Sequence, residues 1–262
     1  MLDKMKNAWY TNYSQSDPKK EVAFMHSTLD PNHIHFAVDL LILTVREGRL
    51  NLLLSRRTAP PYQNLWALPG RLVALDESAE DAAERLMAEM LPVGEAYYEQ
   101  LYTFSAPNRD PRGRVVSAAY LVIVPWRRLA GALEGEGVQL RPFEVRLEKD
   151  AAAFIGSDGA RLNGAALAFD HDRVIATGIR RLQGKLDYTE IGFHFLDDAR
   201  SFSLNALMAI YTAILGRDRD FSNFRRMIRS RYESTGRIAP TGKLEKGDHG
   251  RPAALYTLID DR

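Results

Sequence analysis

The chain of 262 residues carries 35 basic and 34 acidic side chains, for a formal net charge of +1, and it contains no cysteine. Its length allows one large domain or two modest ones, and 45% hydrophobic with 26% charged residues is typical of a folded globular protein. The lack of cysteine excludes disulfides, cysteine-ligated zinc, iron–sulfur clusters and a thiol nucleophile. A charge near zero argues at first against a nucleic-acid partner, because such proteins usually carry a basic excess.

No part of the sequence predicts a membrane span or a signal peptide. The longest apolar runs, at 36–45 and 118–126, are shorter than the ~20 residues needed to cross a bilayer. The start of the chain is polar and lacks the apolar core of a signal peptide, so we expect a cytoplasmic protein. Residues 1–30 show no clean periodicity and are predicted to form an N-terminal arm.

The next part of the chain mixes strand-like and helical patterns. Ser78 is placed to cap one predicted helix, and Asp81 completes a capping box three residues later. Strands combined with a central helix favour a compact α/β sandwich, which we assign to residues 31–184. The predicted strands are 33–45, 50–57, 97–104 and 115–124, and the predicted helices are 78–90 and 171–182.

The C-terminal part, which we assign to residues 185–262, has a different pattern. A helix is predicted over 203–215 from apolar residues at helical spacing, and Gly216 ends it. A second helix begins near Asp220 or Ser222, and two short strand-like pieces flank a glycine-rich basic segment after it. This order predicts a winged helix-turn-helix. Phe221, Phe224 and Ile228 are expected to face inward from the second helix, and the two strands are expected at 237–241 and 253–258.

The run from Leu68 to Met90 resembles the Nudix box, whose pattern is Gly-x5-Glu-x7-Arg-Glu-apolar-x-Glu-Glu-x-Gly-apolar. In that family the box holds a divalent metal that bridges a diphosphate, which water then attacks. The resemblance therefore implies a Nudix α/β/α sandwich for the first domain. The residues of the degenerate box in this chain are Gly70, Glu77, Arg85 and Glu89, of which Glu77 and Arg85 keep the spacing of the pattern.

The box is degenerate on the face that would hold the metal. Positions 86, 89 and 90 share one side of the helix, and there the chain presents Leu86, Glu89 and Met90 in place of three carboxylates. One carboxylate alone provides only a weak binding site for Mg²⁺. We therefore predict that hydrolysis is lost or residual, and we assign no catalytic residue, no metal ligand and no required cofactor. Arg71 and Pro92 replace the two glycines of the pattern.

Two alternatives concern the same helix. Leu86 and Met90 are equally well read as ordinary core residues, and Glu77 with Arg85 as a structural ion pair that braces the loop. A degenerate box can still bind a ligand, and residues 56–66 and 109–113 resemble the branch of the Nudix superfamily that binds ADP-ribose. Arginine suits a diphosphate because its planar guanidinium donates two parallel hydrogen bonds, and Trp66 or Tyr62 could stack on a base. The candidate effector-binding residues are Arg56, Arg57, Trp66, Arg71, Arg109 and Arg112.

The near-zero net charge conceals a separation of charge along the chain. Residues 199–258 contain eleven basic and five acidic side chains, a charge of +6, so the remainder carries −5. A helix with asparagine and several arginines on its outer face suits the major groove, where arginine pairs with guanine and asparagine with adenine. A solvated charged surface is the alternative. The candidate DNA-binding residues are Asn223, Arg225, Arg226, Arg229, Lys243, Lys246 and Arg251.

The C-terminal motifs, together with the degenerate box, closely resemble the NrtR family of Nudix-related transcriptional regulators. They run from Tyr211 through Asn223-Phe224-Arg225-Arg226 to Gly250-Arg251-Pro252-Ala253. The resemblance implies a homodimeric repressor that binds a palindromic operator on double-stranded DNA and responds to ADP-ribose or a related nucleotide. An active metal-dependent ADP-ribose pyrophosphatase with an accessory DNA-binding domain is the main alternative, and an inactive scaffold is a third.

Overall fold

The computed structural model describes residues 29–30, 32–91, 94, 96–133, 140–148, 152–245 and 252–259. The predicted N-terminal arm therefore lies outside the described residues, apart from its last positions, and so do Pro92, Lys246 and Arg251. Within the described ranges, no helix is both long enough and apolar enough to cross a membrane.

A mixed β-sheet forms the centre of the first domain. Its strands are β1 (His35–Arg46), β2 (Arg49–Arg56), β3 (Trp66–Ala67), β4 (Gly70–Leu72), β5 (Tyr97–Phe104), β6 (Val115–Ile123), β7 (Leu140–Leu147), β8 (Ala152–Gly156) and β9 (Arg161–Leu162). They pair in the order β5-β6-β1-β2-β7-β8-β9, with β3 against β2 and β4 against β1. Only the β1–β6 pair is parallel among these described strands, and it is the long central pair of the sheet.

Helices cover both faces of this sheet, as the predicted α/β/α sandwich requires. Leu40 and Ile42 of β1 join the buried cluster beneath the first two helices, whereas Leu41 and Leu43 join the cluster beneath the third. Because β1 is buried on both faces, its sequence is a continuous apolar run. The helices are α1 (Ala79–Met90), α2 (Trp126–Ala132) and α3 (His171–Lys185).

Helix α1 begins where its capping signal places it. The Ser78 hydroxyl accepts a hydrogen bond from the Asp81 backbone N–H at 3.1 Å, and the Asp81 carboxylate accepts one from the Ser78 N–H at 2.9 Å. In the first domain, the sequence prediction omitted α2 and the strands β3, β4 and β7 to β9. In β7 the exposed Arg141 and Arg146 stand among the apolar residues, so the alternation is hard to read locally.

Glycine at position 178 lets α3 approach the sheet closely. A β-carbon there would lie 2.1 Å from a terminal methyl carbon of Leu41, whose side chain is fully buried. We expect Gly178→Ala to lower the free energy of unfolding by roughly 1–3 kcal/mol, because the packed core must shift to admit the methyl group. Urea denaturation measures this. Gly184→Ala in the same helix is the matched control, since a β-carbon there meets no atom within 4 Å and should be neutral or stabilising.

The second domain has the predicted winged helix-turn-helix. Its three-stranded sheet has the order β10-β12-β11. The prediction that Phe221 faces inward is wrong, because its side chain is 37% exposed at the first position of the second helix, whereas Phe224 and Ile228 are buried. The elements are β10 (Phe202–Ser203), α4 (Leu204–Leu215), α5 (Phe221–Ile228), one π-helical turn (Arg229–Glu233), β11 (Ile238–Glu245) and β12 (Ala253–Leu258).

The two domains share one continuous hydrophobic core. It extends from Leu41 in the large sheet to Leu207 and Phe224 in the winged helix. Two buried tyrosines of the second domain also donate hydrogen bonds to carbonyls that follow α3: Tyr211 to Leu186 at 3.1 Å, and Tyr232 to Thr189 at 2.7 Å. The segment after α3 therefore forms hydrogen bonds with the second domain. The domain boundary at residues 184 and 185 stays a prediction.

Candidate functional site

The loop before α1 is braced by the ion pair that the box retains. Arg85 donates to the Glu77 carboxylate through Nη2 at 2.7 Å and through Nε at 3.0 Å. The same carboxylate accepts the Ala74 backbone N–H at 2.8 Å. The Arg85 guanidinium holds the pKa of Glu77 below its ordinary value. This confirms the interpretation of Glu77 and Arg85 as a structural pair.

On the face of α1 that would hold a metal, apolar residues and arginines surround the remaining carboxylate. Leu86 is 2% exposed and belongs to the buried cluster beneath α1, and Met90 packs against that cluster. Glu89 lies within 2.7 Å of Arg71 Nη2 and within 3.4 Å of Arg85 Nη1. The arginine that replaces the first glycine of the box thus binds the one carboxylate left on this face.

These residues do not fit a divalent cation. Mg²⁺ requires carboxylate oxygens that are available for coordination, but Glu77 and Glu89 are both engaged by guanidinium groups. In the described part of the chain, no group of three or more histidine, aspartate or glutamate side chains is arranged to hold a metal ion.

A buried polar network lies behind Gly70 of the box. Asp39 of β1 accepts hydrogen bonds from the Ser117 hydroxyl at 2.6 Å and from Arg109 Nη2 at 3.2 Å. Arg109 also binds Asp170, just before α3, through Nη2 at 2.7 Å. Its side chain is only 5% exposed. The geometry therefore corrects the picture of Arg109 as a surface ligand for an effector: its described contacts are internal carboxylates.

Two of the other candidate effector residues meet at one aromatic ring. Arg57 and Arg112 come together at Phe169, with guanidinium carbons 4.8 Å and 5.6 Å from the ring centroid. Tyr62 meets the same ring edge-on at 5.0 Å. We call these four residues the Phe169 cluster.

The remaining candidates lie outside that cluster. Trp66 is half-buried and packs edge-on against Phe143 at 4.8 Å, which favours its core interpretation over a stacking role. Arg56 is exposed and donates to the Asn64 carbonyl at 3.1 Å. Arg71 binds Glu89. No local signal points to Phe169, because it lies far along the chain from both arginine segments.

The second helix of the winged helix-turn-helix presents the predicted polar face. Asp220 caps it by accepting the Asn223 backbone N–H at 2.8 Å. Asn223, Arg225 and Arg226 are exposed, and Arg226 Nη2 donates to the Asn223 side-chain oxygen at 2.7 Å. Arg229 is also exposed, and it pairs with Glu233 at 2.6 Å. The exposed end of α5 is therefore a set of adjacent hydrogen-bond donors.

The wing is formed by β11 and β12. Lys243 is exposed, and it lies within β11, which extends to Glu245, instead of in the loop where the sequence placed it. The two other basic residues predicted for the wing, Lys246 and Arg251, lie outside the described residues.

Comparisons with known proteins match both domains. The NUDIX domain family model matches residues 33–152, and the NrtR DNA-binding winged helix domain matches residues 192–258. An "ADPR responsive transcriptional repressor NtrR" of Acinetobacter baylyi is 30% identical over 227 residues, which are 84% of this chain and 80% of that protein. An "ADP-ribose pyrophosphatase" of Methanocaldococcus jannaschii is 28% identical over 168 residues, 64% of this chain and 82% of that protein.

A solved structure carries the same two-domain arrangement. The crystal structure of Shewanella oneidensis NrtR complexed with a 27mer DNA has a TM-score of 0.66 and 27% identity, and the match covers 86% of this chain and 93% of that one. Sequence similarity and structural similarity both extend over the two domains together. This chain therefore belongs to the NrtR family of Nudix-related transcriptional regulators.

Proposed function

We propose that this protein is a transcriptional repressor that binds double-stranded DNA through its winged helix and senses ADP-ribose or a related nucleotide through its Nudix domain. The pairing of Glu89 with Arg71 and Arg85 carries the proposal, because it leaves the Nudix domain suited to binding and not to metal-dependent hydrolysis. The names of the Acinetobacter repressor and of the Shewanella DNA complex support the same function.

The proposed assembly is a homodimer that reads a palindromic operator. Each chain would place α5 in the major groove, with half-sites about one helical turn apart. Asn223, Arg225 and Arg226 contact the DNA from α5, and Arg229 contacts it from the turn that follows. Lys243 flanks the DNA backbone from the wing, as the sequence also predicts for Lys246 and Arg251. A ligand changes the affinity of the dimer for DNA only if it binds one relative arrangement of the two winged helices more tightly than another.

A DNA-binding titration with effectors tests the function. Fluorescence anisotropy of the full chain on duplexes from the region upstream of its own gene should find one that binds far more tightly than a scrambled duplex. ADP-ribose, NAD and phosphorylated sugars are then added in separate arms. A change in operator affinity in at least one arm is expected. No preference for any upstream duplex would contradict the DNA-binding assignment, and a response to none of the ligands would contradict sensing.

Retention of Glu77 and Glu89 favours a second candidate, an ADP-ribose pyrophosphatase, as in the Methanocaldococcus relative. We expect no metal-dependent release of AMP when the full chain is incubated with ADP-ribose and Mg²⁺ or Mn²⁺, since both carboxylates are paired with guanidinium groups. Chromatographic detection of AMP measures this, and Glu89→Gln is the matched variant. Metal-dependent AMP release that disappears in Glu89→Gln would establish the enzyme instead.

A further inference from the structure

Two tyrosines of the winged helix bind the segment that follows α3, residues 186–190. Their hydroxyls donate to backbone carbonyls of that segment, and both side chains are at most 4% exposed. Tyr211 packs edge-on against Phe224 of α5, with ring centroids 5.1 Å apart, and Tyr232 packs edge-on against Phe193 at 5.0 Å. A ring can shift slightly within an apolar core, whereas a buried hydroxyl needs its acceptor. The two hydrogen bonds therefore fix the winged helix against the end of α3.

Tyr232 reaches that segment from a turn that directly continues the reading helix. α5 runs into the π-helical turn Arg229–Glu233, which the Ser234 N–H closes on the Arg229 carbonyl at 2.9 Å. Single π turns are rare and frequently lie at functional sites. A displacement of the segment after α3 thus acts on α5 through the turn next to it.

An ion pair adds a third connection, from the residue before the wing. Arg237 donates to both oxygens of the Glu190 carboxylate, through Nε at 2.6 Å and through Nη2 at 2.7 Å. A pair of two parallel hydrogen bonds fixes the orientation of the groups as well as their distance. We call Tyr211, Tyr232 and Arg237 the interdomain clamp.

The opposite end of α3 lies at the Nudix site. Phe169 of the Phe169 cluster and Asp170, which binds the buried Arg109 at 2.7 Å, directly precede the helix. The 15 residues of α3 span roughly 22 Å at the usual rise per residue. At Gly178 the helix packs against β1 with no room for a β-carbon. Because closely packed interiors transmit displacements, α3 connects the Nudix site to the interdomain clamp.

We propose that the residues of the interdomain clamp are positioning residues, which fix the direction of α5 relative to the Nudix domain and carry the effect of a bound ligand to it. They act through the placement of α5 and do not touch DNA themselves. Placement matters for an operator, because the reading helices of two chains must meet half-sites at a fixed separation. This inference rests on the proposed function, and it names the contacts that couple its two sites.

Substitutions that remove the hydroxyls and keep the rings test the clamp. In anisotropy titrations without ligand, Tyr211→Phe and Tyr232→Phe should each weaken operator binding about three- to tenfold and leave binding to a scrambled duplex unchanged. The ligand effect is the ratio of the operator dissociation constants with and without saturating ADP-ribose. This ratio should move toward one in both variants. Calorimetry should find that both bind ADP-ribose as the wild type does.

Exchange of the two charges tests the ion pair separately. Glu190→Arg and Arg237→Glu should each move the ligand effect toward one, as Tyr232→Phe does. The double variant restores an ion pair and has the same net charge as the wild type, so it should recover most of the ligand effect. Recovery of this kind distinguishes a positioning role from a general loss of stability.

Tyr98→Phe and Arg49→Gln are the matched controls. The Tyr98 hydroxyl donates to Glu84, and Arg49 pairs with Glu144, so both contacts lie within the first domain. Both variants should bind the operator and respond to ADP-ribose as the wild type does, and thermal unfolding checks that every variant is folded in the assay. Wild-type behaviour of both tyrosine variants, or equal losses in the controls, would overturn this proposal while leaving a sensing function intact. A wild-type chain whose operator affinity ADP-ribose does not change would contradict both the proposed coupling and ADP-ribose as the effector.

Discussion

Asp39→Asn is expected to lower the free energy of unfolding by about 3 kcal/mol at neutral pH. Removing one partner of a buried ion pair typically costs 3–5 kcal/mol, because the other charge is left buried without compensation. The lower end applies here, since Arg109 retains Asp170. The cost is still large, because Asp39 also accepts the Ser117 hydroxyl and its Oδ1 lies 3.6 Å from His171 Nε2.

Urea denaturation of the full chain measures the loss. Glu47→Gln is the control: this exposed glutamate pairs with its neighbour Arg46, and surface pairs of that kind contribute at most about 1 kcal/mol. A loss no larger for Asp39→Asn than for Glu47→Gln would show that the buried network does not stabilise the domain.

The same variant makes a prediction about pH. Burial acts to raise the pKa of Asp39, but His171, Arg109 and the Ser117 hydroxyl outweigh it and hold the pKa well below its ordinary value. The folded state therefore binds this proton less readily than the unfolded state, whose aspartate pKa is about 3.9. The stabilisation is complete above that value and is lost as pH falls below it. The difference between wild type and Asp39→Asn should be constant from pH 7 to about pH 5 and should shrink below about pH 4.

The elements that were predicted correctly each have a local signal in the sequence. The helix after Ser78, the strands of the central sheet and the helix-turn-helix each have a cap, an apolar run or a helical spacing that can be read from neighbouring residues. Helical spacing also offered Leu86 as an ordinary core residue, and this alternative is confirmed because Leu86 is buried. Strand β7 has a weaker signal, because exposed arginines interrupt its apolar residues and its pairing with β2 joins segments far apart in the chain.

The details of the site depend on contacts that sequence spacing does not reveal. In the sequence, Arg71 is only a substitution for glycine, and it is the fold that brings its guanidinium to Glu89 on the helix that follows. Arg109 and Arg112 are three residues apart, yet the first is buried among carboxylates and the second reaches Phe169. Residue type predicted that arginines gather near the box, and tertiary structure decides which of them can meet a ligand.

Arg226→Ala should weaken operator binding about ten- to a hundredfold, the largest effect that we expect from any single residue of α5. An arginine that pairs with a base edge contributes ~1–3 kcal/mol of discrimination. Arg226 is favoured for this role because its guanidinium is exposed and held by the Asn223 side chain, whereas Arg229 is paired with Glu233. Anisotropy titration on the operator and on a scrambled duplex measures the change, and circular dichroism checks that the helix persists.

Substitutions at neighbouring residues of α5 distinguish a contact with a base edge from a contact with a phosphate. Arg226→Ala should lower affinity mainly for the operator. Arg225→Ala tests the loss of a phosphate contact: it should weaken binding to both duplexes alike and reduce the slope of log K against log salt concentration by roughly one unit. Because Asn223 holds Arg226 at 2.7 Å, Asn223→Ala and the double variant should be less than additive. Additive losses would mean that the two side chains act separately, and unchanged affinity in Arg226→Ala would remove α5 from the role of reading helix.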